Sequence, residues 1–212
     1  MNNCYAAELN SLVATKLGLA VEAIHFCPRQ SFEQGGTALL ESIGVDPSTQ
    51  VFYELHDAGY ASAGVLAGTN GSSAFKGLTI STRADGQIAH YVFIQGDGPQ
   101  VSSLTIEEQA LDLCIQQLCA LTHELGHVQD MGKGLNFAYA PQPAVWLARA
   151  EAEAHAFSLE YFGARGLTQL RNWLARTLTQ LSGASSALEK ALYSALCTRI
   201  GKGRLKRWAG NA

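Results

Sequence analysis

Apolar residues recur at helical spacing along most of this chain, and at strand-like spacing in one central region. Leu9, Leu12, Val13 and Leu17 predict a helix over residues 5–18, stopping at Gly18. The segment Ser31–Ile43 predicts a second helix opening with Ser31, with Gly44 and Pro47 beyond its end. Leu111, Cys114, Ile115, Leu118, Leu121, Thr122 and Leu125 form one stripe, which predicts a long helix over about 105–131, stopped by Gly132 and Gly134. Its start is marked by Thr105-Ile106-Glu107-Glu108, a capping box in which Thr105 and Glu108 each satisfy the other's backbone N–H. Pro143 then opens a helix reaching about Phe162, since proline is tolerated at an early helical position. Leu170, Trp173, Leu174, Leu178 and Leu181 predict a helix over 168–181, and Leu188, Leu192, Leu196 and Ile200 one over 185–200.

Between residues 51 and 95 the pattern changes. Gly59, Gly64, Gly68, Gly71, Gly77 and Gly86 separate short β-branched and aromatic runs. Val51–Leu55, Gly77–Thr82 and Ile88–Gln95 predict three strands of an antiparallel sheet, with a hairpin across Ala84-Asp85-Gly86. Residues 68–73 read as a surface loop. The last strand, Gln87–Gln95, is expected to be the exposed edge of the sheet, available to an added strand of substrate backbone. The expected fold is α+β and zincin-like: a small antiparallel sheet packed on helices, with a helical C-terminal half. It is read as one domain over 1–212, with N-terminal helices and sheet in 1–100, the motif and third-ligand helices in 101–165, C-terminal helices in 166–201 and a solvated basic tail in 202–212.

Composition narrows the function classes. A chain of 212 residues with 47% hydrophobic and 16% charged residues can build its own core. A net charge of −3 gives no general pull toward nucleic acid or a membrane surface. Five scattered cysteines without a CxxC pair fit a reducing compartment, and Cys114 and Cys119 are expected as small core residues. No stretch approaches 18 apolar residues and no signal peptide is recognisable, so a cytoplasmic protein is expected.

The candidate chemistry sits at the end of the long helix, in Thr122-His123-Glu124-Leu125-Gly126-His127. Two histidines four residues apart share one helical face, about 40° apart around the axis, so both imidazoles can reach one ion. Glu124 projects beside them as a candidate general base. This is the HExxH pattern of zinc metallopeptidases, and a catalytic zinc takes three protein ligands. The third is sought in Glu151 and Glu153, carboxylates set among Ala and aromatic residues. They lie about 200° apart around a helix, so only one faces the metal. Glu151 is favoured because His155 follows it by four residues, whereas Glu153 shares its face with Trp146, Ala150 and Phe157, a stripe suited to packing. His155, Tyr139, Tyr161 and Arg149 are candidates to stabilise an oxyanion or to contact the ligands from behind. His25, His56 and His90 have no partner spacing and read as surface or satisfied core residues.

HELGH followed some two dozen residues later by Glu151-Ala-Glu-Ala-His155 resembles the gluzincin metallopeptidases, in which HExxH is joined by an ExxxD helix. The form E-x-E-A-x-x-F most resembles the ImmA/IrrE family, and the likeness is confined to about 105–162. That resemblance implies a soluble metallopeptidase of a bacterial or phage-associated kind, acting on a protein or peptide such as a repressor-type regulator. It also implies that the first glutamate, Glu151, is the zinc ligand. One position departs from the pattern: His155 stands where ExxxD has Asp. The expected activity is zinc-dependent peptide-bond hydrolysis with Glu124 as base. The alternative is an inactive zincin-like binding or immunity module with a structural metal.

Overall fold

Thr105 and Glu108 close the capping box: the Glu108 N–H donates to Thr105 Oγ1 at 3.2 Å and the Thr105 N–H to Glu108 Oε2 at 2.8 Å. The helix they open is the longest among the described residues. In this computed structural model, residues 4–17, 21–46, 50–54, 75–84, 87–98, 104–132 and 143–210 are described. They form helices α1 (Cys4–Leu17), α2 (Gly35–Ser42), α3 (Ile106–Gly132), α4 (Pro143–Ala164), α5 (Thr168–Gln180), α6 (Ala187–Leu196) and α7 (Lys202–Trp208). The strands are β1 (Ala23–Cys27), β2 (Gln50–Glu54), β3 (Gly77–Ala84) and β4 (Gln87–Gln95). The α+β class expected from the sequence is the one observed. The chain divides into two compact units, Met1–Val128 and Gln129–Ala212.

In the first unit the sheet has the order β1-β4-β3-β2. β2, β3 and β4 are antiparallel neighbours, as expected, and Ala84 pairs with Gln87 across the hairpin. Two expectations are corrected. The sheet is mixed rather than antiparallel, because β1 joins β4 in parallel, with Ala23 opposite Tyr91 and Cys27 opposite Gln95. β4 is therefore an interior strand, flanked on both sides, and its backbone cannot take an added strand; β1 and β2 hold the edges. The Glu22 N–H donating to His90 O at 2.8 Å and the Gly96 N–H donating to Cys27 O at 2.7 Å close the β1–β4 ladder at its two ends.

Alternation along β3 and β4 gives the sheet two covered faces. Leu78 and Ile80 of β3 and Phe93 of β4 pack with Leu39 and Leu40 of α2 into one buried cluster. The opposite positions, Thr79, Ser81, His90, Val92 and Ile94, are buried too. On that side Thr79 meets Glu124 of α3, and Gln117 of α3 donates to the carbonyls of Gln95 and Gly96. Asn10 of α1 brackets the backbone of Val21 through both its amide nitrogen and its oxygen.

The second helix does not run from Ser31. Residues Arg29–Gln34 form a 3-10 segment after Pro28, and Gly35, with φ of 84°, breaks the run so that α2 starts afresh there. Of the two cysteines expected in the core of α3, Cys119 is buried and Cys114 is exposed.

In the second unit α4 carries a buried run of small residues, Ala148, Ala150, Ala152, Ala154 and Ala156, together with Leu159 and Phe162. Small side chains let neighbouring helices approach closely, and α5 and α6 pack against it. Ser186 caps α6, accepting from the Glu189 N–H. α6 ends earlier than its periodicity suggests, passing into a π-helical turn, Cys197–Gly201. The segment after it, read from sequence as a solvated basic tail, is helix α7: its lysines and arginines are exposed, but Leu205 is fully buried and Trp208 lies between Arg204 and Arg171, 4.6 and 5.2 Å from its ring centre.

Candidate metal centre

α3 is apolar enough to be buried around its C-terminal half, and this is where the motif falls. His123, Glu124 and His127 are each at most 1% exposed. Their helical spacing puts the two imidazoles side by side, ring centres 4.7 Å apart and nearly perpendicular. The two Nε2 atoms lie 3.0 Å apart. Tetrahedral zinc with bonds of about 2.0–2.1 Å holds two ligand nitrogens roughly 3.3 Å apart, so the pair sits close to the separation that one shared ion requires. Burial disfavours the charged imidazolium and pushes His123 down to about 3. The ring is therefore neutral at physiological pH, the form in which histidine binds a metal.

Glu124 projects toward the sheet. Its Oε2 accepts a hydrogen bond from Thr79 Oγ1 at 2.7 Å, and the same hydroxyl lies 3.1 Å from the Glu124 carbonyl oxygen. A buried carboxylate that is costly to desolvate is thus met by a donor from β3. Thr79 carries no signal in the sequence alone: a polar residue alternating with Leu78 and Ile80 reads as a solvent-facing position of a half-buried strand. Asp130 stands outside the motif and likewise has no sequence signal of its own. It is 1% exposed and follows His127 by three residues and His123 by seven, which places it on their face of α3 by helical repeat.

In the second unit, α4 carries the remaining candidates. His155 is 4% exposed and Glu151 is half-buried, four residues apart on one face. Glu153 points elsewhere: its Oε2 accepts from Arg199 Nε at 2.9 Å, and Arg199 Nη1 reaches Glu160 at 3.0 Å. Attraction to both carboxylates raises the Arg199 pKa despite its partial burial. Tyr161 is buried with its ring against Phe162 and under Arg165, and Arg149 is exposed, lining a groove between α4 and α6 with Ala148, Ala152, Ala191 and Ala195. Tyr139 lies outside the described residues, as do His56 and the loop expected at 68–73.

The other described histidines, His25 and His90, lie in strands of the sheet. His90 is buried with Nδ1 at 2.8 Å from Ser81 Oγ, opposite it on the neighbouring strand, and burial lowers its pKa. His25 stacks on Phe93 at 5.9 Å. Among the described residues no helix is long and apolar enough to cross a membrane. No family model matches the chain, and neither does any curated protein or solved structure.

Proposed function

We propose that this chain is a zinc-dependent metallopeptidase, in which His123 and His127 hold the ion, Glu151 is the third protein ligand and Glu124 is the general base. The observation that carries this reading is the meeting of the His123 and His127 Nε2 atoms at 3.0 Å, beside the buried Glu124 carboxylate. Imidazoles with one carboxylate are a donor set that suits catalytic zinc. His155 follows Glu151 by four residues on one face of α4, so it belongs beside Glu151 as a further ligand or as a contact to the reacting oxygen. The engagement of Glu153 by Arg199 supports Glu151 over Glu153.

When bound, zinc supplies Lewis acidity, polarising the scissile carbonyl and acidifying water in its reach. Glu124 takes a proton from the attacking water and returns it to the leaving amine, so that one carboxylate serves both halves of the hydrolysis. The likeness of HELGH and E-x-E-A-x-x-F to the ImmA/IrrE metallopeptidases supports a protein or peptide substrate, a repressor-type regulator among them. The net charge of −3 favours neither nucleic acid nor a membrane surface as partner. The scatter of five cysteines without a CxxC pair supports a reducing, cytoplasmic setting.

The test is metal content followed by turnover. Wild type reconstituted with zinc should carry one equivalent by plasma emission spectrometry; well under half an equivalent sinks the reading. Glu124→Gln should keep the zinc and lose hydrolysis of an unstructured protein such as casein, and retained turnover would remove Glu124 from the mechanism. A second reading is favoured by one observation: His123, Glu124 and His127 are all fully buried, as ligands of a closed structural site are. In that case the protein is a binding or immunity module. Chelation would then unfold the wild type, and neither wild type nor Glu124→Gln would cleave any substrate.

A further inference from the structure

The hydroxyl of Thr79, from the sheet, is bonded to the motif's glutamate, and no feature of the metal ligand set requires it. It is the third residue of β3, fully buried, with Leu78 and Ile80 turned to the opposite face. A threonine hydroxyl has one proton and two lone pairs. Here it lies within hydrogen-bond reach of two acceptors on one residue, Glu124 Oε2 at 2.7 Å and Glu124 O at 3.1 Å. One proton cannot fully serve both. The shorter contact goes to the carboxylate, as a charge-assisted O–H···O bond should.

We infer that Thr79 is the positioning residue of Glu124, fixing its carboxylate for proton transfer in both protonation states the base must visit. The inference rests on the metallopeptidase reading and deepens it. With Glu124 ionised, the Thr79 hydroxyl donates to Oε2. The proton taken from water rests on the other oxygen, Oε1, so Oε2 remains an acceptor and the Thr79 hydroxyl goes on donating to it. Every donor keeps an acceptor through the cycle, so the buried carboxyl does not swing away when its charge changes. The hydroxyl is therefore what this position needs, and its methyl is not.

The experiment compares Thr79→Val, which keeps the shape and removes the hydroxyl, with Thr79→Ser, which keeps the hydroxyl. With casein as probe, Thr79→Val should bind wild-type zinc and lower kcat by about ten- to hundredfold with KM nearly unchanged, in the range known for residues that orient a metal site from behind. Thr79→Ser should recover most of that loss. Wild-type kcat in Thr79→Val, or no recovery in Thr79→Ser, overturns the inference. Urea unfolding provides a readout independent of turnover. The midpoint shifts of Thr79→Val and Glu124→Leu should be non-additive, the double variant losing less than their sum; additive shifts overturn the contact itself. A wild type that cleaves nothing sinks the metallopeptidase reading and with it the catalytic role of Thr79, whatever the unfolding result.

Discussion

Arg199 donates to Glu153 at 2.9 Å and to Glu160 at 3.0 Å, so one guanidinium ties together two successive stretches of the same face of α4. Glu153 and Glu160 are seven residues apart, nearly in line along the helix. Glu151 lies on the other side of the axis. Replacing Glu151 by Ala should therefore strip most of the zinc. Replacing Glu153 by Ala should leave zinc bound and lower stability by on the order of 1 kcal/mol, a modest figure because the pair is partly exposed. Metal content and urea midpoints of the two variants decide it: if the Glu153 variant loses the metal and the Glu151 variant keeps it, the two roles are reversed.

The two histidines should be unequal to their surroundings but equal to each other. Changing either His123 or His127 to Ala should reduce zinc to well below half an equivalent while leaving far-ultraviolet circular dichroism intact, since alanine is a good helix former at both positions of α3. Full zinc in either variant would show that the ion sits elsewhere.

Burial lowers the pKa of His90, and that of His123 to about 3, in the folded chain. An unfolded histidine titrates near 6.5. Between the folded and unfolded values the unfolded state binds more protons, so these groups contribute stability that is full above about 6.5 and is lost as pH falls toward the folded values. The metal-free protein should accordingly show urea midpoints that decline steadily from about pH 6.5 toward pH 4. His90→Gln should flatten part of that decline. A midpoint unchanged across this range would mean that neither ring is held neutral.

Leu205 of α7 is fully buried. Leu205→Ala should cost about 2–5 kcal/mol, the range for a large-to-small change in a packed core. A freely solvated basic tail would show no change. Thermal unfolding monitored on the full chain distinguishes the two.

The helices and the β3–β4 hairpin were legible because their signals are local. The stripe from Leu111 to Leu125 and the Thr105–Glu108 box located α3 within a residue at each end. His123, Glu124 and His127 were legible for the same reason, since their relation is carried by one helix. What escaped is carried by distant partners. β1 is only five residues long, mixes Ala and His into its apolar run, and pairs with a strand more than sixty positions away. Thr79 and Ser81 look solvent-facing until a second helix covers that face of the sheet. Glu153 looked like part of a packing stripe because its partner, Arg199, is 46 residues off and displayed by a π-helical turn that no periodicity announces.

The place of β4 between a hairpin partner and a parallel partner also sets an order of events in time. Closing β3 onto β4 needs only the two residues between Ala84 and Gln87, whereas joining β1 requires the whole intervening chain to be drawn into a loop. Loop-closure entropy makes the first step early and the second late. Until Ala23–Cys27 docks, one side of β4 is an open backbone edge, the state most prone to pairing with a second molecule. Ile80→Val should therefore slow folding, while Ile24→Val should chiefly hasten unfolding. The newly made chain is most exposed to aggregation in the interval between those two steps.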